Sequence, residues 1–230
     1  MLALVRMQVP LSVKDPDSGV SRHVTSDVWD YVVNNHTKWR SKHVKPLFIT
    51  HRDMQEDTSL IVRADDSDAL ADFVETRISQ IPNLRGVWIL NMAKIRIVRL
   101  PEHRPRDLRR FTVTIDALPK YVNGIYERIS GLKPSDEVII TYITQTYQSF
   151  RASIMVSVLA RSANHIEAFT NDYIRSLPGV EGAEITFISK TLRLVSPEEW
   201  LEEAGPYMVS PGEEQVRKIE ADDDSFFAAC

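Results

Sequence analysis

The chain has 230 residues, 43% hydrophobic and 26% charged, with 8 Gly, 12 Pro, a net charge of −4 and one cysteine, Cys230. This is the composition of a globular chain, and a single cysteine excludes an intramolecular disulfide and a thiolate metal cluster. No run approaches 18 apolar residues and the start, MLALVRMQVP, lacks the basic region of a signal peptide, so a cytoplasmic location with no membrane contact is expected.

The charge is unevenly divided. Residues 198–230 hold ten acidic and two basic side chains, a balance of −8, which leaves about +4 on residues 1–197. A body so mildly basic, without a dense cationic stripe, points away from direct nucleic-acid binding.

In chain order, LALVRMQVP reads as a strand. The Pro/Asp/Ser/Gly stretch SVKDPDSGVSRHVTSD follows as a loop, with Ser26 as a helix cap. Apolar spacing then predicts a helix over 26–43, strands over 46–52 and 57–64, a helix over 67–81 and a strand over 87–98. RLPEHRPRDLRR (99–110), with two prolines and five arginines, reads as a linker, its arginines solubilising rather than clamping phosphates. FTVTIDA (111–117) alternates as a half-buried strand. Val122, Ile125, Ile129 and Leu132 share one face of a helix over 119–132, with Pro119 near its start. Two β-branched strands follow over 137–147 and 149–160, then a helix over 164–177 and a strand over 183–195.

The order βαββαβ thus occurs twice. With an offset of 96, Ala64 meets Ala160, Phe73 meets Phe169, Ile78 meets Ile174, Pro82 meets Pro178, Gly86 meets Gly182, Ile89 meets Ile185 and Lys94 meets Lys190. Internal duplication accounts for identities in matching roles. A βαββαβ unit is the ferredoxin-like arrangement, an antiparallel sheet with both helices on one face. Its bare face is amphiphilic here (Ser59, Ile61 and Arg63; Ser153, Met155 and Ser157) and wants a partner sheet. The expected fold is therefore α+β: two tandem βαββαβ ferredoxin-like units forming a pseudo-dimeric α/β barrel-like pair. Its expected parts are 1–98, the linker 99–110, 111–197 and an acidic C-terminal tail over 198–230.

Four of six histidines fall early, at 23, 36, 43 and 51. Val28, Val32, His36, Trp39 and His43 would share one stripe of the first helix, so His36, His43 and His51 are candidates for a metal or haem. Two helical turns separate His36 from His43 by roughly 10.5 Å, too far for an easy mononuclear site, and packing against the sheet explains the stripe as well. The tail ends in DDDSFFAAC, where Phe226 and Phe227 behind three aspartates suit docking in a partner's groove.

VSVLARSANHIEAFTNDYIRSLPGVEGAEITFISKTLRLV (156–195), and more loosely residues 60–98, resemble the effector-binding (RAM) domain of the Lrp/AsnC transcription regulators. The chain begins directly with the first strand, so no recognition helix is assigned. The resemblance implies a stand-alone sensor or adaptor that binds a small, amino-acid-like ligand or a protein partner at unit interfaces as a homo-oligomer. It places the ligand near RDMQEDTS (52–59) and TYQSFRAS (146–153), with Asp57, Tyr147, Gln148 and Arg151 as candidate contacts, although neither segment keeps the family's glycine. It also implies an alternative. Sirohaem decarboxylases are similar to this family, and other paired ferredoxin-like barrels bind haem or oxidise small aromatics. In that reading Tyr142, Tyr147, Arg151 and His51 would line a cavity between the sheets. A third reading is a structural subunit docked by its tail. No cofactor, no catalytic group and no enzymatic activity is assigned from the residues alone.

Overall fold

The computed structural model describes residues 1–14, 19–52, 57–98, 107–132, 137–148 and 151–208. The first half of the chain runs β1 (Leu2–Gln8), β2 (Ser12–Lys14), β3 (Ser21–His23), α1 (Thr25–Trp39), β4 (Val44–Arg52), β5 (Asp57–Ala64), α2 (Ser67–Thr76) and β6 (Gly86–Ile97). The second half runs β7 (Arg109–Ala117), α3 (Val122–Ser130), β8 (Val138–Gln148), β9 (Arg151–Ala160), α4 (Ala163–Thr170), β10 (Val180–Phe187), β11 (Lys190–Arg193) and α5 (Pro197–Ala204). Strands form where β-branched residues alternate, and helices where apolar residues recur at three and four.

Nine of these strands make one antiparallel sheet in the order β10-β7-β9-β8-β6-β1-β5-β4-β11. The strand order β6-β1-β5-β4 in the first half is matched by β10-β7-β9-β8 in the second. One long strand joins them: residues 86–92 of β6 pair with β1, and its residues 91–97 pair with β8. The other crossing needs only Ile188 and Ser189. The Ile188 N–H donates to the Arg110 carbonyl (3.0 Å) in β7, and the Ser189 N–H to the His51 carbonyl (3.0 Å) in β4. β11 then pairs with β4, so the sheet closes on itself with the helices outside. Closure satisfies strand edges that would otherwise stand open.

The outward face carries two cores. Val5, Ile49, Leu60 and Val62 pack under α1 and α2, and Val113, Ile143, Ile154 and Val156 under α3 and α4. Each such side chain contributes about 1.5–3 kcal/mol by leaving water.

The helix-to-strand junction is built twice with the same bonds. Ile81 N–H donates to Ile78 (3.0 Å) and Leu84 N–H to Ile81 (3.4 Å); 96 residues later Leu177 donates to Ile174 (3.0 Å) and Val180 to Leu177 (3.2 Å). Both turns pass through a left-handed residue, Asn83 (φ 63) and Gly179 (φ 86). Asn tolerates that region, and Gly179 has a second reason to be glycine: a Cβ there would stand 2.3 Å from the Tyr121 ring.

Five regions differ from the sequence expectation. α1 starts at Thr25, on Val24 without a side-chain cap, and stops at Trp39, not at 43. There the Ser41 hydroxyl accepts from the N–H groups of His43 (3.2 Å) and Val44 (3.0 Å), a local turn that outcompetes another helical turn. The loop over 12–27 holds the small β2–β3 hairpin. The strand expected over 183–195 starts at Val180 and bends between β10 and β11, because its two ends pair with different halves. Arg109 and Arg110 of the expected linker already belong to β7, and residues 197–208 pack on the sheet as α5 and a following turn at Gly205–Tyr207. No helix among the described residues is long and apolar enough to cross a membrane.

Two outcomes test this packing. Gly179→Ala is expected to lose more than about 1 kcal/mol in urea denaturation, while Asn83→Gly stays within about 0.5 kcal/mol. Tyr126 is fully buried in the second core, its hydroxyl has no hydrogen-bond partner, and burial pushes its phenol up to about 12 from 10.0, with Arg96 opposing. Between those values the folded chain keeps a proton that the unfolded chain releases, so stability falls as pH rises from 10.0 through about 12. Tyr126→Phe is expected to flatten that decline while leaving stability near neutral pH almost unchanged.

Candidate functional site

Strand alternation sends every second side chain inside the closed sheet. On β1, β4 and β5 the inward pairs are Arg6 with Ser59, Ser59 with Thr50, and Asp57 with Arg52. On the second half they are Thr112 with Ser157, Ser157 with Tyr142, Thr114 with Glu184, and Thr144 with Met155. Tyr142 points inward because the β8–β9 register shifts between Ile140 and Tyr142. Without that bulge it would lie against the helices.

One end of this interior is apolar and closed. Leu2, Leu4, Phe48, Ile61, Met92 and Met155 cluster there, with Trp200 of α5 packed against Phe48 at 6.1 Å between ring centroids. Glu203 of α5 pairs with Arg63 (Nε to Oε2, 3.1 Å) and with Lys45, Glu199 pairs with Arg40, and Met208 bridges the backbone of Ile95.

Charges lie deeper along the barrel. Asp57 Oδ2 accepts from Arg6 Nη2 at 2.5 Å and from Arg52 Nη1 at 3.2 Å. Arg52 Nε is also 3.2 Å from Oδ1, an ion-pair distance at an angle that makes no hydrogen bond. The side chains of Arg52 and Asp57 are only 4% and 6% exposed. Two guanidiniums thus share one carboxylate. Burial pushes the Arg52 guanidinium down; Asp57 opposes that, Arg6 adds to it, and Glu184 and Tyr142 from the second half oppose it in turn. Burial pushes the Tyr142 phenol up, against Arg110, a hydrogen bond with Ser157, and Arg52, so it stays a neutral donor. The Tyr142 side chain keeps part of its surface accessible. Ser59 is 2% exposed and its hydroxyl has no hydrogen-bond partner. Beside Arg6 stands Trp88, exposed at the barrel mouth, with its indole laid over Gly86, where a Cβ would come within 2.9 Å of it.

Such a chamber is suited to a small anion with an apolar body. Guanidiniums and the Ser59 hydroxyl meet the charge, Tyr142 supplies a further donor, and Trp88 and Met155 offer apolar surface.

Of the residues singled out from the sequence, Asp57 belongs to this network. Gln148 and Arg151 pair in register at the β8–β9 turn, and their side chains lie outside the described set. Tyr147 faces outward and donates to Gln145 Oε1 at 3.1 Å, so it does not meet Asp57. His51 is buried on the helix side, with Nδ1 2.8 Å from Thr58 Oγ1 and its ring beside Trp29. His36 bonds the Val33 carbonyl on its own helix, and His43, beyond the end of α1, bonds Asp65 at 2.7 Å. Phe226 and Phe227 lie outside the described residues. Among the described residues no group of three or more His, Cys, Asp or Glu side chains could hold a metal, and no histidine faces the chamber. Arg6 and Trp88 were missed, though an arginine inside the largely apolar LALVRMQV was a readable signal; Arg52 and Ser59 bound the segment expected near the ligand without being named as contacts.

No family model and no curated protein matches the chain. Among solved structures, an anthrone oxidase-like protein is similar with a TM-score of 0.50 at 6% identity, over 85% of this chain and 94% of that one. A candidate monooxygenase from Lactobacillus acidophilus NCFM has a TM-score of 0.48 at 7% identity, over 81% and 92%. A candidate chlorite dismutase has 0.44 at 9%, over 82% and 95%. The first likeness is one of fold, an α+β ferredoxin-like architecture. It corrects the expectation of a sensor or adaptor: over most of its length the chain shares its fold with an oxidase-like protein, and no family model supports the Lrp/AsnC likeness.

The network predicts two opposite mutational signs. Asp57→Asn leaves two guanidiniums without their anion and is expected to cost about 3–5 kcal/mol in chemical denaturation. Ser59→Ala removes an unsatisfied hydroxyl and is expected to be neutral or slightly stabilising.

Proposed function

We propose that this chain is an enzyme of the dimeric α/β-barrel type, in which two fused βαββαβ units, 1–98 and 111–197, enclose one reaction chamber. Its substrate is a small hydroxylated aromatic that enters past Trp88 and is oxidised. The observation that carries this reading is the cluster of buried Arg52 and Asp57 with the partly exposed Arg6, near Tyr142 and Glu184 of the other half. Perturbed, desolvated titratable groups in a chamber mark sites of chemistry more often than scaffolding. The anthrone oxidase-like fold neighbour supports the same class.

In this reading the ionised substrate hydroxyl rests against Arg52 and Arg6, whose geometry Asp57 holds. Ser59 donates its unused hydrogen bond to the same oxygen, and the Tyr142 phenol donates to a second substrate oxygen. Low dielectric strengthens these contacts and favours the anion, the electron-rich form that is oxidised. The oxidant is dioxygen from solution. Either two substrate hydrogens leave with it as hydrogen peroxide, or one oxygen atom enters the substrate and the other leaves as water with both hydrogens.

The test is oxygen uptake by the full chain with anthrone and hydroxylated polycyclic aromatics. Uptake is expected, with kcat/KM falling about 10²–10³-fold in Arg52→Met and less in Tyr142→Phe. No uptake and no ligand-induced rise in Tm with any of these compounds would overturn the assignment.

A further inference from the structure

A second cleft lies outside the barrel, at the repeated junction. Tyr121, Gly124, Ile125, Arg128, Leu177 and Pro178 enclose about 360 Å³, inside the ~300–1,000 Å³ range of ligand clefts. Its floor is apolar: Ile125 is buried, and the Tyr121 ring, Leu177 and Pro178 form the walls. Gly124 lines it with open space beyond: a Cβ there would meet nothing within 4 Å. Its rim is cationic, with Arg128 exposed and the Lys120 ammonium 4.9 Å from the Tyr121 ring centroid.

The described chain ends against β6, whose outward side chains reach this helix. Met208 bridges Ile95 of β6. The residues on either side of Ile95 reach α3: Lys94 donates to Asn123 (3.2 Å) and Arg96 to Glu127 (2.7 Å). Beyond Met208 come 22 residues with six acidic and two basic side chains, ending in DDDSFFAAC. The separation of 208 and 226 corresponds to roughly 20–25 Å for a random chain of that length, and a helix with its side chains is about 10–12 Å across. The segment is therefore long enough to pass round α3.

We propose that this C-terminal segment docks in cis in the α3 cleft. Phe226 and Phe227 occupy the slot between Tyr121, Ile125 and Leu177, and the aspartates at 222–224 face Arg128 and Lys120. Apolar slot, cationic rim and acidic-aromatic peptide are complementary in both shape and sign. This site is independent of the barrel chamber and of the reaction proposed for it.

The experiment places a benzoylphenylalanine photocrosslinker at position 226 of the full chain and maps the adducts by mass spectrometry. Adducts within the same chain at Tyr121, Ile125 or Leu177 are expected. Their yield should fall at least about fivefold in Gly124→Leu, which fills the slot, and in Arg128→Glu, which reverses the rim. Leu is a better helix former than Gly, so Gly124→Leu is expected to melt no lower than the parent. Adducts at the same residues in a second copy would overturn docking in cis. Adducts elsewhere, or a yield that neither substitution changes, would overturn the site.

Discussion

Everything else in the molecule depends on the sheet closing on itself at two seams. Two crossings achieve this. In β6 a single strand serves both halves, giving its first part to β1 and its last part to β8. At the other seam the chain changes partners within two residues, with Ile188 bonded to β7 and Ser189 to β4. Backbone groups left unpaired at either seam would cost free energy or recruit another strand. Closing both seams turns one face of the sheet into an interior, which decides what kind of side chain that face can carry.

That interior is not symmetric, although the scaffold around it nearly is. The 96-residue offset places Ser157 where Ile61 stands and Met155 where Ser59 stands. By strand pairing, Tyr142 opposite Ser157 takes the place of Phe48 opposite Ile61. The first half therefore offers an apolar end that α5 can close, and the second half offers a polar wall. The Arg6, Asp57 and Arg52 side chains of the first half face that wall. A duplicated scaffold whose inner residues have diverged yields one chamber rather than two equivalent ones, and the chamber has a charged end and an apolar end.

Strand and helix positions were legible because alternation and helical spacing are local properties. The repeated junction was legible for the same reason: Pro82 with Asn83 and Pro178 with Gly179 mark a turn wherever they occur. The inward face was legible on β5 and β9, as Ser59, Ile61, Met155 and Ser157, but not on β8. Its membership depends on a one-residue bulge in β8, whose trace in the sequence is the apolar spacing Val138, Ile140, Ile143, two residues and then three. Strand parity likewise separates His51 from Arg52, sending the histidine beneath α1 and the arginine into the barrel. The imidazole stripe of α1 dissolved for a different reason. A serine turn at Ser41 ended the helix early and gave His43 to Asp65. Long-range pairing and local polar competition are what a reading of single segments leaves out.

The buried charges are the part of the structure that stability does not explain. A buried ion pair is often no better than well-packed apolar side chains of the same volume, because desolvation offsets its attraction. The chain itself supplies the comparison: the α5 end of the same barrel is filled by Leu2, Leu4, Phe48 and Met155. A scaffold needing only to close would have continued that filling through positions 6, 52, 57 and 59. Instead those positions carry two cations, one anion and a hydroxyl with no hydrogen-bond partner. Charged groups kept where hydrocarbon would close the barrel as well are the groups that the proposed function uses.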